Sequence, residues 1–517
     1  MELTKETIKD KLIERCALSS NETALSYNET TYTWEELGYI TNSLANDLIN
    51  LGIDKNEKIG LVGNNSDSWI FYYFAIIKAG GCAVTFNTRL HEIEIKREIE
   101  ISDVGVLIYG NGDKDQPLNF NTNKFIEKNI LTHCIDMRKD GEHWKNIAKR
   151  KELLNKEIAV SCNDPVSVLF TSGTTGKSKG VMLSNYNLIN NSRAICSNMK
   201  WDITDKFCIS VPLFHTFGIT CCVLACMLTG AEMKVLSRSK TKDICEAIDL
   251  YKCTVLNGVP SMYLALLRSE NRHEYDISKL KSGIIAGSPI FRDDYFEICR
   301  MFDNIKLQPS YGQTETSPCI TICNLEDELD LKAATSGSKI EHVQLRIMSI
   351  NGNRVCEPYE EGEIQVKGYN VMLGYINNEK ETKKAFTEDG WLKTGDLGFC
   401  NNSGYVNITG RCKNIIIRGG ENISPVEIEN AIKEVVKQCD VKVFGVPSIV
   451  VQEEIVACIE GEFTSQTKEK IMDYLHKNIS DYKVPKYMLF IKEMPRNTTG
   501  KIDENTLKQE TIKRLNI

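Results

Sequence analysis

The chain has 517 residues, 42% hydrophobic and 26% charged, which is enough to bury a large core in two or three domains and excludes a disordered or fibrous class. Sixty-three Lys and Arg stand against 70 Asp and Glu for a net charge of −7, with no long block of one sign, which excludes a nucleic-acid surface as the main function. The 19 cysteines are scattered without a C-x-x-C pair, and the 7 histidines lack zinc-ligand spacing, so the cysteines read as reduced thiols filling the core of a cytoplasmic protein.

In chain order, residues 1–20, MELTKETIKDKLIERCALSS, lack an apolar export signal and predict a helix capped at Thr4. A second helix is predicted over Thr33 to Leu51, where Thr33 and Glu36 form a T-x-x-E capping box and Gly52 is the stop. A strand at 57–63, a helix at 67–79 and a strand at CAVTFN follow, and the alternation resumes at TVLNGV (254–259) and SGIIAG (282–287). Alternating strand and helix is the pattern of a layered α/β domain. The stretch Val211 to Ala231 has no Asp, Glu, Lys or Arg, yet its proline, glycines, threonines and histidine make it a buried helix preceded by a loop, not a membrane span. From about residue 360 short strands and glycine turns take over, and beyond Gly420 helices and strands return in a small α+β domain. The boundary falls near Arg411 to Lys413.

The segment Thr171 to Gly180, TSGTTGKSKG, nearly spells G-x-x-x-x-G-K-[ST]. A Walker loop needs its first glycine at Thr171 and its Lys-Ser opening a helix whose N-terminus faces the phosphates. Here a strand, PVSVLF, precedes the loop and a second strand, GVMLS, follows it, with the next helix cap only at Ser184. The glycines, the hydroxyls of Thr171, Ser172, Thr174 and Thr175, and the lysines still describe a loop built to hold phosphate, but not a P-loop.

Five segments in order resemble the adenylate-forming superfamily of acyl-CoA synthetases, luciferases and adenylation domains: LFTSGTTGKSKGV (169–181), QPSYGQTETSP (308–318), GWLKTGDLG (390–398), GRCKNIIIRGGENISPVEIE (410–429) and PRNTTGKI (495–502). With NEKIGLVGNNS and KAGGCAVTFN upstream, the resemblance covers essentially the whole chain. It implies an N-terminal ATP- and acyl-binding domain, 1–412, of layered sheets and helices with a small barrel-like part, and a mobile α+β domain, 413–517. It also implies two half-reactions: a carboxylate attacks the α-phosphorus of ATP, and a thiol then attacks the acyl-adenylate. Two anions must meet, so the family places Mg²⁺ and positive charge around the phosphates.

By resemblance, Thr171, Ser172, Gly173, Thr174, Thr175, Gly176 and Lys179 close over the phosphates, with Thr171 and Glu315 at the metal. Thr314 touches the α-phosphate and Tyr311 packs on adenine, beside Gln308, Gly312 and Gln313. Gly287, Ser288 and Pro289 form the opposite wall. Asp396 and Arg411 hold the ribose, a task suited to an ionised carboxylate with two acceptor oxygens. Lys501 bridges carboxylate and phosphate as the catalytic lysine, Lys413 is the hinge about which the C-terminal domain swings, and Gly419 and Gly420 line the path of CoA. His215, Phe217, Gly218, Gly287 and Gly312 surround the acyl group. Amino-acid-activating relatives carry an aspartate at the position of His215 to pair the substrate ammonium, so an amino acid is disfavoured here.

The sequence departs from the family pattern at Ala286, Ser288 and Ser178, and none of these removes a reacting group. The implied function is an ATP-dependent acid:CoA ligase for a medium- or long-chain fatty or other hydrophobic acid, aryl acids included. The alternative is an enzyme that loads the acyl group onto a carrier-protein phosphopantetheine. A non-catalytic nucleotide-binding scaffold is the reading from another class, disfavoured by the Glu315, Asp396 and Lys501 set. The sequence leaves the oligomeric state open, with a homodimer among the options.

Overall fold

Hydrogen-bonded side chains close the helix starts that the sequence marks. The computed structural model describes the chain except residues 112–121, 129, 172–177, 239, 304, 350–353, 412–414, 437, 438, 462 and 497–501. Helix Trp34–Asn50 opens on the reciprocal bonds of Thr33 and Glu36, and Gly52 follows at φ +88. Helix Asn185–Met199 opens in the same way on Ser184 and Asn187. The first helix corrects the sequence reading: it spans Ile8–Leu18 and is capped by Thr7, which pairs reciprocally with Asp10. Thr4 lies three residues before that cap, with its backbone N–H given to Asn190 and its hydroxyl to Glu6.

The chain divides into two units. In the larger, among the described residues, one sheet has nine strands in the order 338–339, 319–322, 306–312, 282–285, 255–256, 206–209, 232–235, 23–27, 30–33. Its central strands are parallel, and antiparallel strands close both edges. A seven-stranded sheet runs 374–375, 179–184, 165–171, 82–86, 58–62, 106–109, 133–136. Helix Asp67–Lys78 is buried at every position, which explains why its sequence is apolar all round. A four-stranded antiparallel sheet, 343–348, 362–368, 392–400 and 406–411, corresponds to the barrel-like part.

The stretch Val211 to Ala231 is the expected loop and buried helix: Thr216–Gly218, Ile219–Leu224 and Ala225–Thr229 form one nearly continuous helical run, the middle part wound as a π-helix. Ile219 to Met227 are sealed in the core. Among the described residues no helix is long and apolar enough to cross a membrane.

The smaller unit comprises residues 411–517 together with 89–98 and 171–179. The strands Glu421–Ile423, Ile416–Arg418, Gln452–Glu460 and Val441–Ser448 lie side by side, and Tyr487–Ile491 pairs in parallel with Gln452–Glu460. Helix Pro425–Val435, with proline in its first turn, and helix Ser465–Asn478 bury Ile428, Ile432, Ile471 and Leu475 against this sheet. Lys483 is almost wholly buried, and its ammonium donates to Glu94 at 2.6 Å and to Glu427 at 2.8 Å, while Ser480 also donates to Glu94. Glu98 lies in the same cluster, where burial pushes its carboxyl up to about 8 against the opposing pull of the Ser178 hydroxyl and Lys483.

Candidate active site

Asp396 is thrown inward by the T-G-D sequence itself. Along the pair of strands Gly362–Gly368 and Leu392–Cys400, Glu363 faces Leu397 but Gln365 faces Lys393, so extra residues of the second strand bulge opposite Ile364. The Thr394 hydroxyl donates to the Ile364 carbonyl at 2.7 Å and accepts the N–H of Asp396 at 3.1 Å. Gly395 takes φ +72, where a side chain would be strained, and the result is an Asp396 only 2% exposed. Tyr311 donates its hydroxyl to Asp396 Oδ2 at 2.7 Å.

Y-G-Q-T-E forms a second shaped loop at the carboxyl end of the strand Lys306–Gly312. A Cβ on Gly312 would lie 1.8 Å from the Pro318 carbonyl oxygen, so only glycine allows the chain to pass there. A single 3₁₀ turn, Thr314–Thr316, then projects Glu315, and Gln313 and Thr316 cap the turn reciprocally. The Met372 N–H donates to the Glu315 carbonyl at 2.9 Å, and the Tyr375 hydroxyl donates to Glu315 Oε1 at 2.9 Å. Burial, and then the adjacent Glu315 carboxylate, hold the Tyr375 phenol protonated far above the usual range, so it acts as a donor. Gln313 Nε2 reaches the Thr394 carbonyl at 3.5 Å, tying this loop to the Asp396 bulge. Two carboxylates thus project from two linked loops.

The P-L-F-H loop is positioned by Asn65, which accepts from the Leu213 N–H and donates to the Val211 carbonyl. His215 stands at the start of the helical run with its ring tilted against Phe214, centroids 4.6 Å apart, and Phe217 is half-buried. Gly218 carries a packing duty as well, because a Cβ there would lie 2.4 Å from the Pro212 carbonyl oxygen. Gly287 takes φ +94 just beyond the strand Ser282–Ile285, followed by Ser288 and Pro289.

Gln308 is wholly buried, and Ile284, its partner in register, belongs to the same core cluster as Cys221 and Cys222. Side chains alternate along a strand, so Gln308 and Tyr311 leave on opposite faces.

In the smaller unit, Thr171 donates to the Lys179 carbonyl at 3.5 Å, Arg411 ends its strand half-buried, and Gly419 and Gly420 both have positive φ in the turn between two short strands. Ser172, Gly173, Thr174, Thr175, Gly176, Lys413 and Lys501 lie outside the described residues. Tyr375 and Thr394 were not assigned from sequence. No spacing marks Tyr375, which reaches Glu315 across 60 residues of chain, whereas Thr394 is legible as the first residue of T-G-D.

Residues 12–376 match the family model described as AMP-binding enzyme, and residues 427–501 match the AMP-binding enzyme C-terminal domain. The putative acyl-CoA synthetase YngI of Bacillus subtilis (strain 168) is 32% identical over 498 residues, covering 92% of this chain and 91% of that protein. The mitochondrial medium-chain acyl-CoA ligase ACSF2 of Homo sapiens is 30% identical over 514 residues, covering 92% and 82%. Among solved structures, a double mutant of the o-succinylbenzoate CoA synthetase (MenE) of Bacillus subtilis, bound with its product analogue OSB-NCoA, superposes with a TM-score of 0.84 at 27% identity over 98% of each chain. The chain therefore belongs to the AMP-binding enzyme family, the adenylate-forming superfamily that its motifs resemble. It is an enzyme, a ligase of the AMP-binding acyl-CoA synthetase kind, with the α/β architecture its sequence implies.

Proposed function

We propose that the chain is an AMP-forming acid:CoA ligase acting on a medium- or long-chain, or otherwise hydrophobic, carboxylic acid. The observation that carries this reading is the pair of linked loops that present Glu315 and Asp396, each oriented by a tyrosine hydroxyl. Asp396, with Arg411, holds the ribose hydroxyls, Tyr311 lies against adenine, and Thr314 meets the α-phosphate. Thr171 through Gly176, with Lys179, hold the β- and γ-phosphates. The donor set suits Mg²⁺, since a hard cation takes oxygen ligands and Glu315 and Thr171 offer them. When bound, the ion neutralises phosphate charge and draws electron density from the α-phosphorus. Tyr375 keeps one Glu315 oxygen fixed in direction.

In this reading the acid lies beside His215, Phe217, Gly218 and Gly287, and its carboxylate approaches the α-phosphorus next to Gly312. Lys501 places a positive charge between the two anions, as a compact ammonium on a flexible stem is suited to do. The domains divide near Lys413. The C-terminal domain first delivers Lys501 and then turns about Lys413, so that Gly419 and Gly420 line the way in for the CoA thiol.

The test is a panel of acids offered with ATP and either CoA or a phosphopantetheinyl carrier protein. Acyl-CoA and AMP are the expected products, and acyl transfer to the carrier alone would replace CoA as the acceptor. In Lys501→Ala, adenylation should fall by about 10² or more while thioester formation from supplied acyl-adenylate persists. Equal loss of both halves would contradict the alternation.

A further inference from the structure

The strand Lys306–Gly312, which holds Tyr311, carries an unpartnered hydrogen-bonding group deeper in the protein. Gln308 is 0% exposed, and neither its Nε2 nor its Oε1 has a hydrogen-bond partner among the described residues. A buried amide without partners is costly, so such a group calls for an explanation, of which a ligand that supplies the missing partner is one. Thr220, also 0% exposed, has an unpartnered hydroxyl in the π-helical part of the run that begins beside His215.

The topology brings the neighbours of these two groups to the same layer. Ile284, in register with Gln308, belongs to the same core cluster as Cys221 and Cys222 of the helical run, whereas Ile285 and Leu307 belong to the core on the opposite face. Asn257 spans this layer, accepting the Ile284 N–H at 2.9 Å and donating to the carbonyl of Cys221, the neighbour of Thr220, at 2.8 Å. Several polar groups of neighbouring elements are satisfied: Ser192 donates to the Thr220 carbonyl, Ser310 to the Thr321 carbonyl, and Asn191 exchanges bonds with Cys319. Gln308 lies three residues before Tyr311, about 10 Å down the strand. Ligands of open α/β sheets sit at the carboxyl ends of the strands. An acyl chain entering beside His215 and Gly312 and running between sheet and helix would reach Gln308 several carbons from its carboxylate.

We infer that Gln308, assisted by Thr220, is the specificity-determining end of the acyl site, and that the substrate is a hydrophobic acid bearing an internal carbonyl or hydroxyl oxygen, not a plain alkanoic acid. This inference rests on the acyl-adenylate reading above. The Gln308 amide donates to a carbonyl or accepts from a hydroxyl, and Thr220 does either. A site built around such a bond discriminates strongly against an analogue lacking the oxygen, because its own polar groups are then left unpaired.

The test measures binding of non-reactive acyl-sulfamoyl adenosines to the full chain: one series with plain alkyl acyl groups, one of matched length with a ketone or hydroxyl at successive carbons, and the sulfamoyl adenosine parent. The wild type should bind one oxygenated member at least about tenfold tighter than its alkyl counterpart. Gln308→Met should abolish that preference, with parent binding unchanged and the melting temperature equal or higher, and Thr220→Val should reduce it in part. Equal or tighter binding of the alkyl series, or a preference that survives Gln308→Met, overturns the inference, as does loss of parent binding and melting temperature together in that variant. If the parent itself does not bind the wild type, the acyl-adenylate reading falls first and the subsite with it.

Discussion

The phenolic oxygen of Tyr311 lies 2.7 Å from Oδ2 of Asp396 and donates to it, joining the ring assigned to adenine and the carboxylate assigned to ribose. A hydrogen bond to a charged acceptor contributes about 1.5–3 kcal/mol. Asp396→Asn should therefore raise the KM for ATP about a hundredfold. Tyr311→Phe, which keeps the ring and removes only the donor, should raise it about tenfold with kcat little changed. Steady-state kinetics at saturating acid checks both, and a silent Tyr311→Phe would show that the pair does not orient the carboxylate.

Glu315 and Tyr375 form the corresponding pair on the metal side of the proposed site. Replacing an ionised ligand oxygen by an amide weakens the hold on a hard cation, so Glu315→Gln should raise the Mg²⁺ concentration for half-maximal adenylation by about tenfold or more. Tyr375→Phe should move the same midpoint in the same direction by a smaller factor, since it leaves the carboxylate in place and loosens its orientation. Unchanged Mg²⁺ dependence in Glu315→Gln would remove Glu315 from the metal.

Gly218 separates packing from specificity. A Cβ there would meet the Pro212 carbonyl oxygen at 2.4 Å, and that atom is backbone, with little room to move. Gly218→Ala should destabilise the chain by about 1–3 kcal/mol, read as a lower denaturation midpoint. A residue acting only as pocket wall would instead shift chain-length preference at constant stability, and that outcome would contradict the packing argument.

The buried Glu98 makes a pH prediction. Its folded pKa is pushed up to about 8 from the ordinary 4.5, so the folded state binds the extra proton between those values. Its contribution to stability is therefore greatest at low pH, falls as pH rises from about 4.5 to about 8, and is flat above. Glu98→Gln, neutral throughout, should flatten that fall and exceed the wild type by at least about 1 kcal/mol at pH 8. Denaturation midpoints at pH 5 and pH 8 check this, and parallel slopes for the two proteins would refute it.

What the sequence makes legible follows from the range of each interaction. The capping box at Thr33, the cap at Ser184 and the strands around the phosphate loop are local, and their spacing predicts them. Thr394 and Gly395 shape the Asp396 bulge within one motif, so the motif carries the geometry. The first helix starts at Thr7 through its reciprocal bonds with Asp10, while the Thr4 N–H is given to Asn190, 186 residues away. Tyr375 on Glu315, the grouping of 89–98 with the C-terminal residues, and the facing of Gln308 all depend on which strands become neighbours, and no local spacing encodes that.

The central claim is that the carboxylate of the acid attacks the α-phosphorus of ATP. Acid labelled with oxygen-18 in its carboxylate, turned over with ATP and CoA, tests that claim at the bond that forms. One labelled oxygen is expected in AMP for each acyl-CoA made, because the acyl-adenylate bridging oxygen stays with phosphorus when the thiol attacks carbon. Label in orthophosphate, or unlabelled AMP with thioester product, would contradict it.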